Sequence, residues 1–235
     1  MNTMAESLLG TLFVVATPIG NLSDMTPRAI HILRSVSFIL CEDTRVTKKL
    51  LHHFSIDTPV MTYHHHSDEK TMKEVVHKLQ QGLSLALVSD AGTPAISDPG
   101  GLLVEYLQRN EPTIRIEAIA GVSAVTAALS ISGFAAERFV FLGFPPHKQK
   151  RKQFFEEVAQ SPYTVVFYES PYRIKKAIDQ LTALCAPNRH ITICRELTKK
   201  FESRYSGTIE EIQQMTIPEK GEFVVVVEGN KNKPA

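Results

Sequence analysis

The sequence predicts an α/β protein of two domains, each built on a mostly parallel sheet covered by helices. Short apolar runs alternate with amphipathic stretches almost from end to end, the signature of repeated β–α units. Runs such as residues 223–227 (FVVVV) are apolar on both faces, as strands covered on both sides must be. The 235 residues are long for one compact domain and sufficient for two small ones. The boundary is expected near residues 119–121, giving domains of residues 1–120 and 121–235.

Each element follows from local chemistry. Residues 12–16 (LFVVA) read as the first buried strand. Pro27 is placed to open a helix with Thr26 as its cap, turning Ile30, Leu33 and Val36 inward. Residues 36–41 form a second strand, 48–54 a short helix and 60–63 a third strand. Ser67 is placed to cap the next helix, with Asp68 and Glu69 in a first turn that favours anions. Val75, Val76 and Leu79 give that helix an apolar face, and Gly82 ends it. Residues 83–88 are a fourth strand, 101–108 a helix and 114–119 a fifth strand. A small-residue helix follows at 123–131, closed by Gly133. Further strands are expected at 139–142, 164–168, 191–194 and 223–227, separated by helices at 151–159, 174–184 and 209–215. The polar tail from Asn230 onward is expected to fray.

Composition narrows the class. The formal net charge is +1, so any nucleic-acid surface must be a local patch. Cys41, Cys185 and Cys194 stand in or beside apolar segments and none forms a Cys-x-x-Cys pair. That argues against a disulfide framework or a zinc site and fits a reducing compartment. No stretch approaches the roughly 20 apolar residues of a membrane span, and no basic-then-apolar leader stands at the N-terminus. A soluble, cytoplasmic protein with no membrane partner is expected.

The dense polar segments follow the strands, and in open α/β sheets ligands bind beyond the carboxyl ends of the strands. The first half places there residues 17–21 (TPIGN), 42–45 (EDTR), 64–67 (HHHS), 89–101 (SDAGTPAISDPGG) and 120–123 (AGVS). The second half places there residues 143–152 (GFPPHKQKRK), 169–173 (ESPYR) and 195–200 (RELTKK). Loop 89–101 holds more turn formers and aspartates than a double turn needs. The chain has neither the GxGxxG nor the GxxxxGK[ST] fingerprint. Its glycines therefore serve to let backbone approach a ligand closely, a cradle suited to a nucleoside and amino-acid group without a phosphate. Plainer readings compete at several positions. Asp43 or Thr44 fits a helix cap, and Glu169 with Arg173 fits a simple i,i+4 pair. Arg195, Glu196 and Lys199 fit a structural network, and Lys148, Lys150, Arg151 and Lys152 a solvated face. The consecutive histidines lack the i,i+4 spacing of a helical metal site, and no metal is expected.

Residues 15–22 (VATPIGNL), 42–45 (EDTR), 88–94 (VSDAGTP) with 98–100 (DPG), 167–170 (FYES) and 195–199 (RELTK) form an ordered set of motifs. Together they resemble the small-subunit ribosomal RNA methyltransferase I family, among the tetrapyrrole-methylase-like (class III) S-adenosylmethionine methyltransferases. The resemblance runs from about Leu12 to Gly229. It implies the tetrapyrrole methylase fold: a Rossmann-like, mostly parallel N-terminal sheet and a second, mixed-sheet α/β domain. It implies S-adenosylmethionine in the cleft between them, and a homodimer. It implies methylation of the ribose 2′-oxygen of a cytidine, position 1402, in the decoding centre of 16S rRNA of the small ribosomal subunit. By motif, Pro18 and Ile19 lie beside the cofactor and Asp90 and Thr93 hold it. Ser123 and Ala124 begin the interdomain helix, and Tyr168 and Leu197 add contacts from the second domain. Two positions depart from the family: Ala120 replaces a usual proline and Ser67 a usual asparagine.

Under that resemblance, the chemistry requires a ribose oxygen held in line and relieved of its proton. Lys199 is expected to favour the alkoxide. Asp43 and Glu169 are expected as base or orienting group, with Arg45 and Arg173 holding phosphates or those carboxylates. Lys148, Lys150, Arg151 and Lys152 are expected to hold RNA backbone, which positions without reading sequence. Three rivals stand: the same chemistry on a tetrapyrrole or other small molecule, a nicotinamide dehydrogenase, and a non-catalytic ribosome-binding module. The EDTR and RELTK segments and the basic run oppose the first, and the missing dinucleotide fingerprint opposes the second.

Overall fold

A computed structural model describes residues 9–64, 69–98 and 100–231. The chain divides into two compact units, Met1–Val122 and Ser123–Ala235.

The first unit holds strands β1 (Thr11–Val15), β2 (Phe38–Cys41), β3 (Val60–Thr62), β4 (Leu85–Leu87) and β5 (Arg115–Ile119). All pair in parallel, in the order β3-β2-β4-β1-β5. Its helices are α1 (Pro27–Ser35), α2 (Thr44–His53), α3 (Glu69–Gln80) and α4 (Gly100–Asn110). Successive residues of the inner strands β1, β2 and β4 feed opposite cores, which is why these strands read as apolar runs. Val15, Ile39 and Ala86 pack with Ala29 and Leu33 of α1 and Leu51 of α2. Leu12, Leu40 and Leu87 pack with Val75 and Leu79 of α3 and Leu103 and Leu107 of α4. Thr26 caps α1 by accepting from the Ala29 N–H at 3.1 Å. Helix α2 starts at Thr44, earlier than expected, because Asp43 caps it by accepting from the Arg45 N–H at 2.8 Å. The expected cap Ser67 lies outside the described residues.

The second unit holds α5 (Ala124–Ser132), β6 (Phe139–Phe141), α6 (Arg151–Gln160), β7 (Thr164–Glu169) and α7 (Ile174–Leu184). It continues with β8 (His190–Arg195), β9 (Ser203–Thr208), α8 (Ile209–Gln214) and β10 (Phe223–Val227). The sheet order is β6-β7-β10-β8-β9. Only β6 and β7 pair in parallel; β10 runs antiparallel to β7 and β8, and β9 antiparallel to β8. The sheet is therefore mixed, as the resemblance implied and not as the β–α alternation suggested. The apolar run of β10 reports two-sided burial, which carries no information on direction. Strand β9 went unseen because SRYSGT alternates half-buried and exposed positions on an edge and has no apolar run. Phe155, Phe167, Ile178, Leu181, Ile193 and Val225 form one face of this core. Val125, Ala128 and Leu129 of α5 cover Val166, Cys194, Val224 and Val226 on the other. Asn230, expected to fray, is tied down: its N–H donates to the Ser161 carbonyl at 2.8 Å and its amide to Ala159 at 3.0 Å.

Buried Arg189 binds the end of α6 to the end of the sheet. It donates to the carbonyls of Ala159 at 2.6 Å, Val158 at 3.0 Å and Glu228 at 2.7 Å. Arg189→Ala removes the donor to all three carbonyls, of which Ala159 keeps the Asn230 amide, and should cost about 2–3 kcal/mol, read as a lower urea midpoint. An unchanged midpoint would remove Arg189 from the frame of this unit.

Candidate active site

In the first unit β1 and β4 are neighbours, yet the chain leaves β1 toward β2 and leaves β4 toward β5, on opposite sides. The carboxyl ends of β1 and β4 thus form a topological switch point, where open sheets bind ligands. Two backbone hydrogen bonds join the diverging loops: Thr17 N–H to Gly92 O at 2.9 Å and Gly92 N–H to Thr17 O at 3.0 Å. The buried Thr17 hydroxyl donates to the Ser89 carbonyl at 3.1 Å. Gly92 has φ +80°, and a Cβ there would also lie 3.4 Å from Ile19 Cγ2. At Gly121 a Cβ would meet Ala16 Cβ at 2.8 Å, so only glycine lets the backbone after β5 pass this close to the end of β1. Thr93 donates its hydroxyl to the Val122 carbonyl at 3.3 Å. Four of the expected cofactor residues, Pro18, Ile19, Asp90 and Thr93, therefore lie on the two loops joined by this bridge, with Pro18 and Ile19 buried and Asp90 exposed.

The rest of the loop is held in an uncommon backbone. Asp98 accepts from the N–H groups of Ala95 at 3.2 Å and Gly100 at 2.9 Å, fastening the loop to α4. Ala95 and Ser97 are left-handed, at φ +69° and +55°, a conformation that costs non-glycine residues of order 1 kcal/mol or more. Residues 17–21 and 89–98 contain no lysine or arginine. Desolvation raises the Asp90 pKa, and the nearby carboxylates of Asp43 and Asp98 add to the rise against the opposing Asp43 N–H. A cradle with carboxylates and no cation suits a neutral heterocycle joined to a cationic group and opposes a phosphate. These residues thus fit S-adenosylmethionine.

Beside this loop, Asp43 donates its N–H to Asp90 at 3.4 Å. Its carboxylate grips Arg45 through two bonds, Nε at 3.1 Å and Nη2 at 2.7 Å. The Arg45 side chain and N–H bring the Asp43 pKa down to about 2. So acidic a group is a poor proton acceptor near neutral pH. Of the two roles expected for Asp43, the geometry favours orientation: it caps α2 and aims the exposed Arg45 guanidinium.

In the second unit Glu169, at the end of β7, is 1 % exposed. Arg151 Nη2 reaches its Oε2 at 2.8 Å; Arg173 Nε and the Ser170 N–H reach Oε1 at 3.2 and 2.8 Å. Arg151, expected among the RNA-binding cations, is itself 3 % exposed and also bonds Gln180 at 2.9 Å. It opens α6, so the pitch of that helix turns it into the core while Lys148, Lys150 and Lys152 stay outside. Arg151 is therefore withdrawn from the phosphate-binding set, and Glu169, buried and paired with two guanidinium groups, is disfavoured as a proton acceptor. Arg173 continues outward to His147 Nδ1 at 2.7 Å.

Lys199 lies in a tight turn after β8. Its Nζ sits 3.2 Å from Glu196 Oε1 and 2.8 Å from Glu222 Oε2. Partial burial opposes its charge, but the hydrogen bonds and charges of Glu222 and Glu196 outweigh it and raise the Lys199 pKa. Glu196 and Thr198 are left-handed, at φ +53° and +65°. A Cβ on Gly221 would meet Glu196 Cγ at 2.6 Å. Leu197 and the half-buried Tyr168 pack on the core face made with α5. Ser123 stands at the N-cap of α5 without making a capping bond, so its hydroxyl and the first N–H groups of the helix are uncommitted to each other, and Ala124 follows as the first helical residue. Thr17 and Ser89 lie inside the motifs, but their part in joining the loops was not expected; Glu222 escaped altogether, a single polar residue beside a strand with no motif to mark it. Glu169→Gln should cost about 3–5 kcal/mol, the scale for breaking a buried ion pair. A variant as stable as wild type, but inactive, would return Glu169 to the proton acceptors.

The family model for Tetrapyrrole (Corrin/Porphyrin) Methylases matches residues 11–213. A protein of Halalkalibacterium halodurans named ribosomal RNA small subunit methyltransferase I is 47% identical over 95% of this chain and 78% of its own length. The protein of that name from Bacillus subtilis is 40% identical over 99% of this chain and 80% of its own length. Among solved structures, a cobalt precorrin-4 methyltransferase aligns with TM-score 0.68 at 14% identity, covering 93% of this chain and 94% of that one. A diphthine synthase aligns with TM-score 0.67 at 14% identity, covering 93% and 89%. These distant likenesses establish the fold; the relatives in sequence are much nearer. The chain belongs to the tetrapyrrole methylase family and, within it, to the ribosomal RNA small subunit methyltransferase I branch.

Proposed function

We propose that this chain transfers a methyl group from S-adenosylmethionine to the ribose 2′-oxygen of a cytidine in 16S rRNA, within the small ribosomal subunit. The observation that carries the reading is its likeness, over nearly all of its length, to proteins named for ribosomal RNA methylation. The cation-free, glycine-lined switch point supports it. When bound, S-adenosylmethionine supplies a methyl group on a sulfonium centre, already electrophilic. In this reading Pro18, Ile19, Asp90 and Thr93 hold the cofactor from the first domain. Ser123, Ala124, Tyr168 and Leu197 hold it from the second.

The remaining work is to position a hydroxyl and manage its proton. A fixed ammonium beside a hydroxyl stabilises the alkoxide and so lowers the hydroxyl's pKa. Lys199, kept charged by Glu196 and Glu222, supplies that ammonium. Arg45, aimed by Asp43, and the exposed Lys148, Lys150 and Lys152 take RNA phosphates. A homodimer in the cytoplasm completes the reading. Among the described residues no helix is long and apolar enough to cross a membrane.

The test is methyl incorporation from labelled S-adenosylmethionine into small subunits, with the modified nucleotide mapped. One 2′-O-methylcytidine in 16S rRNA is expected; no incorporation, or a base methyl, contradicts the proposal. Lys199→Met should lower kcat by about 10²–10⁴-fold while calorimetric affinity for the cofactor holds. Normal turnover would remove Lys199 from the mechanism.

A further inference from the structure

We infer that the carboxyl edge of the second unit's sheet is a stacking platform for unpaired bases of single-stranded RNA, formed by Phe144, Tyr172 and Phe201. The inference rests on the RNA-methylation reading and gives that RNA a landing surface. Because β6 runs parallel to β7, and β10 antiparallel to both β7 and β8, strands β6, β7 and β8 share one direction. The segments that follow them therefore emerge on one edge. Each presents one ring to solvent: Phe144 is 53% exposed, Tyr172 87% and Phe201 66%.

These rings are mounted on fixed backbone. Tyr172 lies between Pro171 and Arg173, whose guanidinium is held by Ser170 at 2.7 Å and Glu169 at 3.2 Å. Phe201 has its carbonyl bound by Arg195 at 3.0 Å, and the Glu202 beside it accepts from the Thr198 N–H at 2.6 Å. Phe144 leans on Tyr168, ring centroids 5.2 Å apart. A ring that is exposed yet held has little freedom to lose when a base stacks on it.

Charge selects the occupant. The carboxylates of Glu169, Glu196 and Glu222 on this edge are bound by Arg151, Arg173 and Lys199, while the exposed Glu202 is held by the Thr198 N–H. The cations that face outward are left for a polyanion: Lys148 and Lys150 after β6, and Lys200, whose Nζ lies 5.6 Å from the Phe201 centroid. Lysines interleaved with separated rings suit a strand of phosphates and bases. They do not suit the centre of a protein interface, where lysine is depleted.

The chain contains no tryptophan, so Tyr172→Trp installs a single reporter on the platform. A short single-stranded oligoribonucleotide should quench its fluorescence, and a duplex of equal length should quench it much less. Tyr172→Ala and Phe201→Ala should each weaken anisotropy-measured binding of that oligonucleotide about 5- to 100-fold. The same pair should raise KM for small subunits more than it lowers kcat. Binding without quenching, or an unchanged Kd and KM in the double variant, overturns the platform. So does loss of a dimer in sedimentation with RNA affinity intact, which would assign the rings to a second copy of the chain. Failure of the methylation reading is seen separately, as no methyl incorporation by the wild-type chain.

Discussion

The backbone bridge between Thr17 and Gly92 is the constraint on which the first unit's site depends. Parallel strands with crossover helices send the chain away from β1 and β4 in opposite directions, and the loops would separate without a tie. Two N–H···O bonds and the Thr17 hydroxyl on Ser89 hold them together. The tie dictates the sequence around it. Gly92 must adopt a left-handed backbone, Thr17 must carry a hydroxyl into a buried position, and Gly121 must lack a side chain where it passes Ala16. The joined loops carry the carboxylates of Asp90 and Asp98, and residues 17–21 and 89–98 supply no cation of their own.

The second unit uses its charges differently. Its carboxylates at the strand ends are committed to arginine and lysine: Glu169 between Arg151 and Arg173, Glu196 and Glu222 around Lys199. Such pairs fix geometry more than they stabilise, because desolvation offsets most of their attraction. Their consequence is mechanistic. With Asp43 held near pKa 2 and Glu169 sealed by two guanidinium groups, neither is poised to accept a proton. Catalysis by a fixed cation, with the proton leaving to solvent, agrees better with these side chains than catalysis by a carboxylate base.

Much of this was legible in the sequence because it is written in local signals. Thr26-Pro27 marks a helix start, Gly133 a helix end, and the unbroken apolar strands a sheet covered on both faces. The loops after β1 and β4 stand out because their glycines and prolines exceed what turns require. Other features escaped for physical reasons. Strand β9 is an edge strand wet on one face, so its apolar signal is faint. The direction of β10 depends on its partners, since two-sided burial looks the same either way. Arg151 reads as one of a basic run, and only the pitch of α6 shows that it points inward to Glu169. The grip of Arg45 on Asp43 is a rotamer, which no spacing rule predicts.

The role proposed for the Thr17–Gly92 switch point is to cradle S-adenosylmethionine. Backbone amide shifts recorded while S-adenosylmethionine is titrated into the labelled chain test it most directly. The account predicts that the largest changes in the first unit fall on Thr17, Ile19, Asp90, Gly92 and Thr93, and that replacing Gly92 by valine abolishes them. Saturable binding that leaves those amides unmoved would contradict it.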